Sequence, residues 1–306
     1  MVRENHLSRD DLIYPLFVHS GDAPKVAIEA MPGIYQYSLG GLLEALDEVV
    51  LLGIPAILLF GLPSDKDALG SQAAAEDGIV QQAIRLAKSR YPDLYVIADV
   101  CLCAYTDHGH CGLVQDGRVL NDESVEMLVR VALSYAQAGV DMVAPSDMMD
   151  GRVRAIRKAF DAQGYQDIPI MSYAAKYASS FYGPFREAAS SAPQFGDRST
   201  YQMDPANGDE ALREILADVA EGADSILIKP ALAYGDIIYR AKQAAGLPIA
   251  AYNVSGEYTM VKLAAEKGFI DEKKVVLEAL LGMKRAGADM LITYHALDVA
   301  RWLSEA

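Results

Sequence analysis

The 306-residue chain holds only three cysteines, five histidines and one tryptophan, and its 27 Lys and Arg are outnumbered by 42 Asp and Glu. The net charge of −15 argues against phosphate backbones or anionic lipid as partners, since both demand concentrated basic side chains. No apolar run approaches the roughly 18 to 20 residues that span a bilayer, and Met1-Val-Arg-Glu-Asn-His begins no secretory or transit signal. The expectation is a cytoplasmic protein that handles small molecules, with neither nucleic acid nor membrane as partner. In a reducing compartment three thiols do not all pair internally and stay free to bind metal. Also lacking are a Pro-, Ser- or Gly-rich linker, a low-complexity tract, and a Gly-x-Gly-x-x-Gly after a strand. Their absence favours one domain over 1–306 and argues against a dinucleotide site.

What is present is a repeat of apolar runs, at 12–18, 56–60, 95–100, 142–145, 169–173, 225–228, 248–253 and 290–293. Most are followed by a helix-period segment: 39–52, 78–90, 121–138, 152–163, 209–220, 234–245 and 275–286. Three of these helices run through Gly-x-Asp into the next strand, at Gly139-Val-Asp, Gly222-Ala-Asp and Gly287-Ala-Asp. Glycine suits the left-handed turn that closes a helix. Continuous apolar strands with interleaved helices imply a parallel sheet covered on both faces, and eight such units predict a closed α/β barrel, the (β/α)₈ or TIM barrel.

In such a barrel the carboxyl ends of the strands converge on one face. The third end carries Asp99-Val-Cys-Leu-Cys103, and Cys111 follows after Gly109. Alternate residues share a face, so Asp99, Cys101 and Cys103 point together and the loop returns Cys111 to them. Three thiolates suit zinc, and three protein ligands leave a position open for chemistry. The alternatives are small cysteines that merely pack, or ligation that includes His108 or His110.

Lys176 and Lys229 lie near the ends of neighbouring predicted strands, where mutual repulsion and burial lower a lysine pKa and leave an amine able to attack a carbonyl. The connection from the fifth strand to Asp209 exceeds thirty residues, which reads as a lid. Its run 179–186 is too rich in aromatics and Gly-Pro to predict a regular helix. Arg186 and Arg198 on it would clamp a carboxylate, unless they are ordinary surface arginines.

Together, Asp-Val-Cys-Leu-Cys-Ala-Tyr-Thr-Asp-His-Gly-His-Cys-Gly, Ala-Pro-Ser-Asp-Met-Met-Asp-Gly, Ser-Phe-Tyr-Gly-Pro-Phe-Arg, Tyr-Gln-Met, Ile-Lys-Pro-Ala and Val-Ser-Gly-Glu-Tyr resemble the porphobilinogen synthase (5-aminolevulinate dehydratase) family. The likeness runs from Tyr14-Pro-Leu-Phe-Val18 to Tyr294. It implies condensation of two 5-aminolevulinate molecules to porphobilinogen, for tetrapyrrole and heme synthesis. It further implies Lys229 and Lys176 as the Schiff-base lysine and its partner, and Ser255 and Tyr294 at the first substrate's carboxylate. Arg186, Arg198 and Gln202 then serve the second carboxylate, Cys101, Cys103 and Cys111 are ligands of catalytic Zn²⁺, and Asp99 and Ser146 line the same pocket. Glu214 matches an allosteric Mg²⁺ ligand of some members, its alternative being a solvated carboxylate. The resemblance also implies a homo-octamer. Residues 1–11 read as the remnant of the family's N-terminal arm, either shortened or continued upstream of Met1.

Overall fold

The computed structural model describes residues 1–305. Eight parallel strands form the barrel: β1 (Leu12–His19), β2 (Ala56–Leu62), β3 (Tyr95–Val100), β4 (Met142–Pro145), β5 (Met171–Lys176), β6 (Ser225–Lys229), β7 (Ile249–Asn253) and β8 (Met290–Thr293). Ladders run in order around the ring from β5 through β8 and β1 to β4. The ring closes between β4 and β5 at a bridge from Val143 to Ile170. Side chains alternate between two shells. Ile13, Phe17, Leu58, Tyr173, Leu227 and Tyr252 fill the barrel, whereas Leu12, Leu16, Leu59, Ile226, Ile228 and Ala251 pack outward against helices.

The helices are α1 (Leu39–Leu51), α2 (Ile79–Arg90), α3 (Asn121–Ala138), α4 (Arg152–Gln163), α5 (Gly183–Ala188), α6 (Asp209–Glu221), α7 (Gly235–Ala244), α8 (Ser255–Glu266), α9 (Glu272–Ala286) and α10 (Ala296–Ser304). The repeated Gly-x-Asp now has a physical explanation. Gly139, Gly222 and Gly287 close α3, α6 and α9 in the left-handed region. Two residues on, Asp141, Asp224 and Asp289 each accept the backbone N–H of Val96, Ile170 or Ile249, all at 2.8 Å. Each carboxylate thus satisfies a donor at the start of an adjacent strand, which strand pairing leaves free.

Three expectations need correction. β5 begins and ends later than 169–173, reaching Lys176 itself. The run 179–186 is helical after all: a 3₁₀ turn at Ser180–Tyr182 leads into α5. Pro184 lies in the first turn of α5, where its missing N–H costs no helical bond. The period also failed to reveal α8 and α10, which start two and three residues after their strands end, without an intervening turn signal.

Candidate active site

Lys229 and Lys176 end their strands directly opposite one another in the ladder. Both are buried, at 4% and 5% exposure. The Lys229 ammonium lies among aromatic rings, 4.4 Å from the centroid of Tyr252 and 4.7 Å from that of Phe185. Desolvation, then the Lys176 charge, lower its pKa to about 7, against the opposing pull of Asp99. The Lys176 ammonium donates to the Ser146 carbonyl. Asp99, half-buried in this group, has its carboxyl raised to about 6 by desolvation although both lysines and Ser146 oppose the shift. Its Oδ1 and the Tyr173 hydroxyl have no hydrogen-bond partner among the described residues. Groups of this kind, held dry with capacity to spare, are prepared to bind something polar.

Beside the lysines, the three cysteine sulfurs lie within 4.8 Å of one another and all are buried. Cys101 and Cys103 approach to 3.4 Å. Hydrogen bonds from Cys101 and Cys103 hold the Cys111 thiol well below its usual pKa, with help from the charges of Arg198 and Lys176. The same contacts and burial push the Cys101 and Cys103 thiols up, so without an ion the cluster favours one thiolate, on Cys111, and a cation is needed to hold the other two as thiolates. Neither histidine joins the group of ligand atoms lying within 4.8 Å of one another, although His108 Nε2 is buried without a partner among the described residues. His110 uses both ring nitrogens, at 3.0 Å from Tyr201 Oη and from the Phe195 carbonyl. His108 Nδ1 accepts the His110 backbone N–H. Among the described residues, the sulfurs are the ligand set here.

The lid closes this mouth from above. Its anchor is the start of α8, where the Phe185 N–H donates to Ser255 Oγ at 3.0 Å. A Cβ on Gly256 would stand 2.5 Å from the Phe181 carbonyl, so only glycine lets the lid approach so closely. Arg198 is buried and donates to the carbonyls of Gly109 and Ser191, tying the lid to the cysteine loop. Its Nε, the Arg186 Nε and both amide atoms of Gln202 are buried without partners among the described residues. Neither arginine is an ordinary surface residue. Tyr294, on the barrel side of the lid, shares a 3.0 Å hydrogen bond with Tyr252 Oη.

Glu214 is not part of this assembly. It lies on α6 in a cleft of about 860 Å³ that it shares with Asp150, Arg152, Glu210 and the lid residue Gln202. Burial, then Asp150 and Asp218, raise its carboxyl.

One residue passed over in the sequence stands out in the structure. Glu257 is buried, and its carboxylate accepts from Leu232 N–H at 3.0 Å, Val254 N–H at 2.9 Å and Asn253 Nδ2 at 3.0 Å. Asn253 Oδ1 in turn accepts from Thr293 Oγ1. The ends of β6, β7 and β8, beside Lys229, Ser255 and Tyr294, are thereby joined by one buried network. Its place three residues after the N-cap Val254 accounts for the two local donors, but nothing in the spacing shows that the third comes from Leu232.

Comparison with known proteins agrees with this geometry. The family model for delta-aminolevulinic acid dehydratase matches residues 1–302. Enzymes of that description from Halalkalibacterium halodurans and Bacillus subtilis are 61% and 57% identical, with all of this chain and 93% and 94% of theirs aligned. The crystal structure of the Toxoplasma gondii enzyme, in complex with the reaction product porphobilinogen, superposes with a TM-score of 0.98 at 46% identity, covering 99% of this chain and 88% of that one. A full-length family match, close relatives and a near-identical fold together show that this chain belongs to the delta-aminolevulinic acid dehydratase family, the porphobilinogen synthases.

Proposed function

We propose that two 5-aminolevulinate molecules meet at this barrel mouth and leave as porphobilinogen and two waters, with Lys229 and Lys176 as the residues that hold their carbonyls. The observation that carries this reading is the pair of lysines, buried and in register beneath an aromatic lid. Neutral Lys229 adds to the first carbonyl, and loss of water gives a Schiff base. Lys176 holds the second substrate in the same way, and joining the two becomes a positioned intramolecular reaction, worth up to roughly 7 to 11 kcal/mol. Asp99, whose carboxyl burial raises beside both lysines, is placed to hold or release a proton as water departs. Ser255 and Tyr294 bind the first carboxylate, while Arg186, Arg198 and Gln202 bind the second. The unpartnered nitrogens and amide atoms of those last three favour that role. Phe185 and Tyr252 keep bulk water from Lys229.

The metal of Cys101, Cys103 and Cys111 is zinc in this proposal. Three sulfurs around one tetrahedral zinc, each at about 2.3 Å, lie about 3.8 Å apart, and the cluster needs only small adjustments to match. When bound, zinc supplies a Lewis-acid position beside the lysines. Glu214 alone is proposed as a magnesium ligand, at a site that a neighbouring subunit completes, since its carboxylate and those of Asp150 and Glu210 line one cleft without gathering into a ligand group. We further propose a cytoplasmic homo-octamer in which residues 1–11 contact a neighbouring subunit. Exposed apolar side chains on the outer helices, such as Tyr239 and Leu263, favour a covered surface. Light scattering of the purified protein is expected to give the mass of eight chains, and a monomer would refute the octamer.

The test of the reaction is the initial rate of porphobilinogen formation, followed from pH 5 to 10. A lysine with its pKa near 7 becomes nucleophilic once that proton leaves, so kcat/KM is expected to climb up to about pH 7 and then level. A climb continuing toward pH 10 would mean an ordinary lysine, and absence of product in metal-loaded protein would refute the proposed reaction.

A further inference from the structure

Lys176 faces the barrel interior although strict alternation along β5 would turn it away. Tyr173 points inward, as does Met171, and continuing that period would send Ala175 inside and Lys176 out toward the helices. Instead Ala174 and Ala175 both pack in the outer shell. The ladder shows why. Ile226 pairs with Ser172 but Ile228 pairs with Ala175, so Leu227 opposes two residues, Tyr173 and Ala174. This β-bulge inserts the one residue that returns Lys176 to the interior and sets it opposite Lys229.

The bulge is gripped from outside the barrel. Arg152, buried at the start of α4, donates through Nη2 to the Tyr173 carbonyl at 3.2 Å and to Ser172 Oγ at 3.1 Å. Asp218 on α6 accepts from Ser172 Oγ at 2.6 Å and lies 3.3 Å from Arg152 Nη2. A second Arg152 nitrogen reaches the Met149 carbonyl. A bulge interrupts the ladder where a buried carbonyl still needs a donor, and the guanidinium provides one. Ser172 lies opposite Ile226, which packs in the outer shell, so this grip on the strand comes from its helix side.

We propose that Arg152, Ser172 and Asp218 are positioning residues that hold this bulge and so aim Lys176 at the second substrate. The proposal rests on the reading of Lys176 as a substrate-holding lysine, and the test separates the two.

Wild type and Asp218→Asn are incubated with 5-aminolevulinate and borohydride, and trapped adducts are assigned to each lysine by peptide mass spectrometry. The Lys229 adduct is expected to stay within about twofold of wild type while the Lys176 adduct and kcat fall at least about tenfold. A merely structural role would lower both adducts together or neither, and either result overturns the clamp. Ser172→Ala keeps the ion pair and tests the same point if Asp218→Asn does not fold. For it the selective loss at Lys176 is expected to be about threefold or more, and its absence overturns the clamp equally. If wild type itself gives an adduct at Lys229 but none at Lys176, the second-lysine reading falls. The clamp is then decided without substrate by acetic anhydride labelling: Lys176 in Ser172→Ala reacting at a rate changed by about threefold or more, with Lys229 unchanged, supports it, and unchanged rates at both overturn it.

Discussion

Replacing Lys229 by methionine is expected to lower porphobilinogen formation by roughly 10⁴-fold or more while leaving the folded protein at least as stable as wild type. The rate loss follows from removing the amine that fixes the first carbonyl, which returns the condensation toward an encounter in solution and forfeits much of the roughly 7 to 11 kcal/mol that positioning supplies. The stability follows from burial. Lys229 sits among Tyr173, Tyr182, Phe185 and Tyr252, where a charge is costly and an apolar side chain of similar length is not. The pH dependence gives an independent check. With a folded pKa of about 7, this group binds fewer protons in the native state than in the unfolded state, where an ordinary lysine titrates near 10.4. Its contribution to stability therefore rises with pH across that window and is lowest below pH 7. The methionine variant loses that contribution to the slope, so its melting temperature relative to wild type is expected to be highest near pH 7 and to converge toward pH 10. A variant that melts normally yet retains more than a few per cent of activity would refute the role assigned to Lys229.

Removing metal with a chelator is expected to lower activity at least about a hundredfold, with zinc restoring it and magnesium alone failing to do so. Cys101, Cys103 and Cys111 are buried and close together, and Cys111 is held well below its usual pKa by its two neighbours. Loss of an ion from such a site leaves thiols whose charge repels and whose protons must return. Two measurements besides activity bear on this. Native mass spectrometry is expected to give one zinc per chain at the cysteines. Thiol titration of the folded chain is expected to find three slow cysteines before chelation and three faster ones after it. Activity indifferent to chelation, with the zinc demonstrably gone, would leave the condensation reading intact and make the cluster dispensable.

Much of the fold was legible because barrel strands and their helices announce themselves by period and length. The apolar runs at 56–60 and 225–228 lie inside β2 and β6, and the Gly-x-Asp repeats mark helix ends by a backbone requirement that only local sequence has to meet. The candidate site was partly legible for the same reason, since strand ends converge wherever a barrel closes. Helices such as α8 and α10 escaped because tertiary packing, rather than a turn signal, sets where they begin. The short α5 escaped because its aromatic and Gly-Pro content reads as loop until the barrel mouth supplies a surface for Phe181, Tyr182 and Phe185.

The lysines mark the boundary most clearly. The sequence by itself determined that Lys176 and Lys229 lie near the ends of neighbouring strands, that three cysteines lie within one strand-end loop, and that a long lid follows. These are local facts about residue type and spacing. Only the tertiary structure decided that Lys176 turns inward, because its direction depends on one extra residue opposite Leu227 and on side chains from α4 and α6 that hold it there. It also decided that His108 and His110 stay out of the sulfur cluster and that Glu257 ties three strand ends together. Side-chain direction at a bulge and the identity of a buried hydrogen-bond partner are set by groups far apart in the chain, and no local period records them.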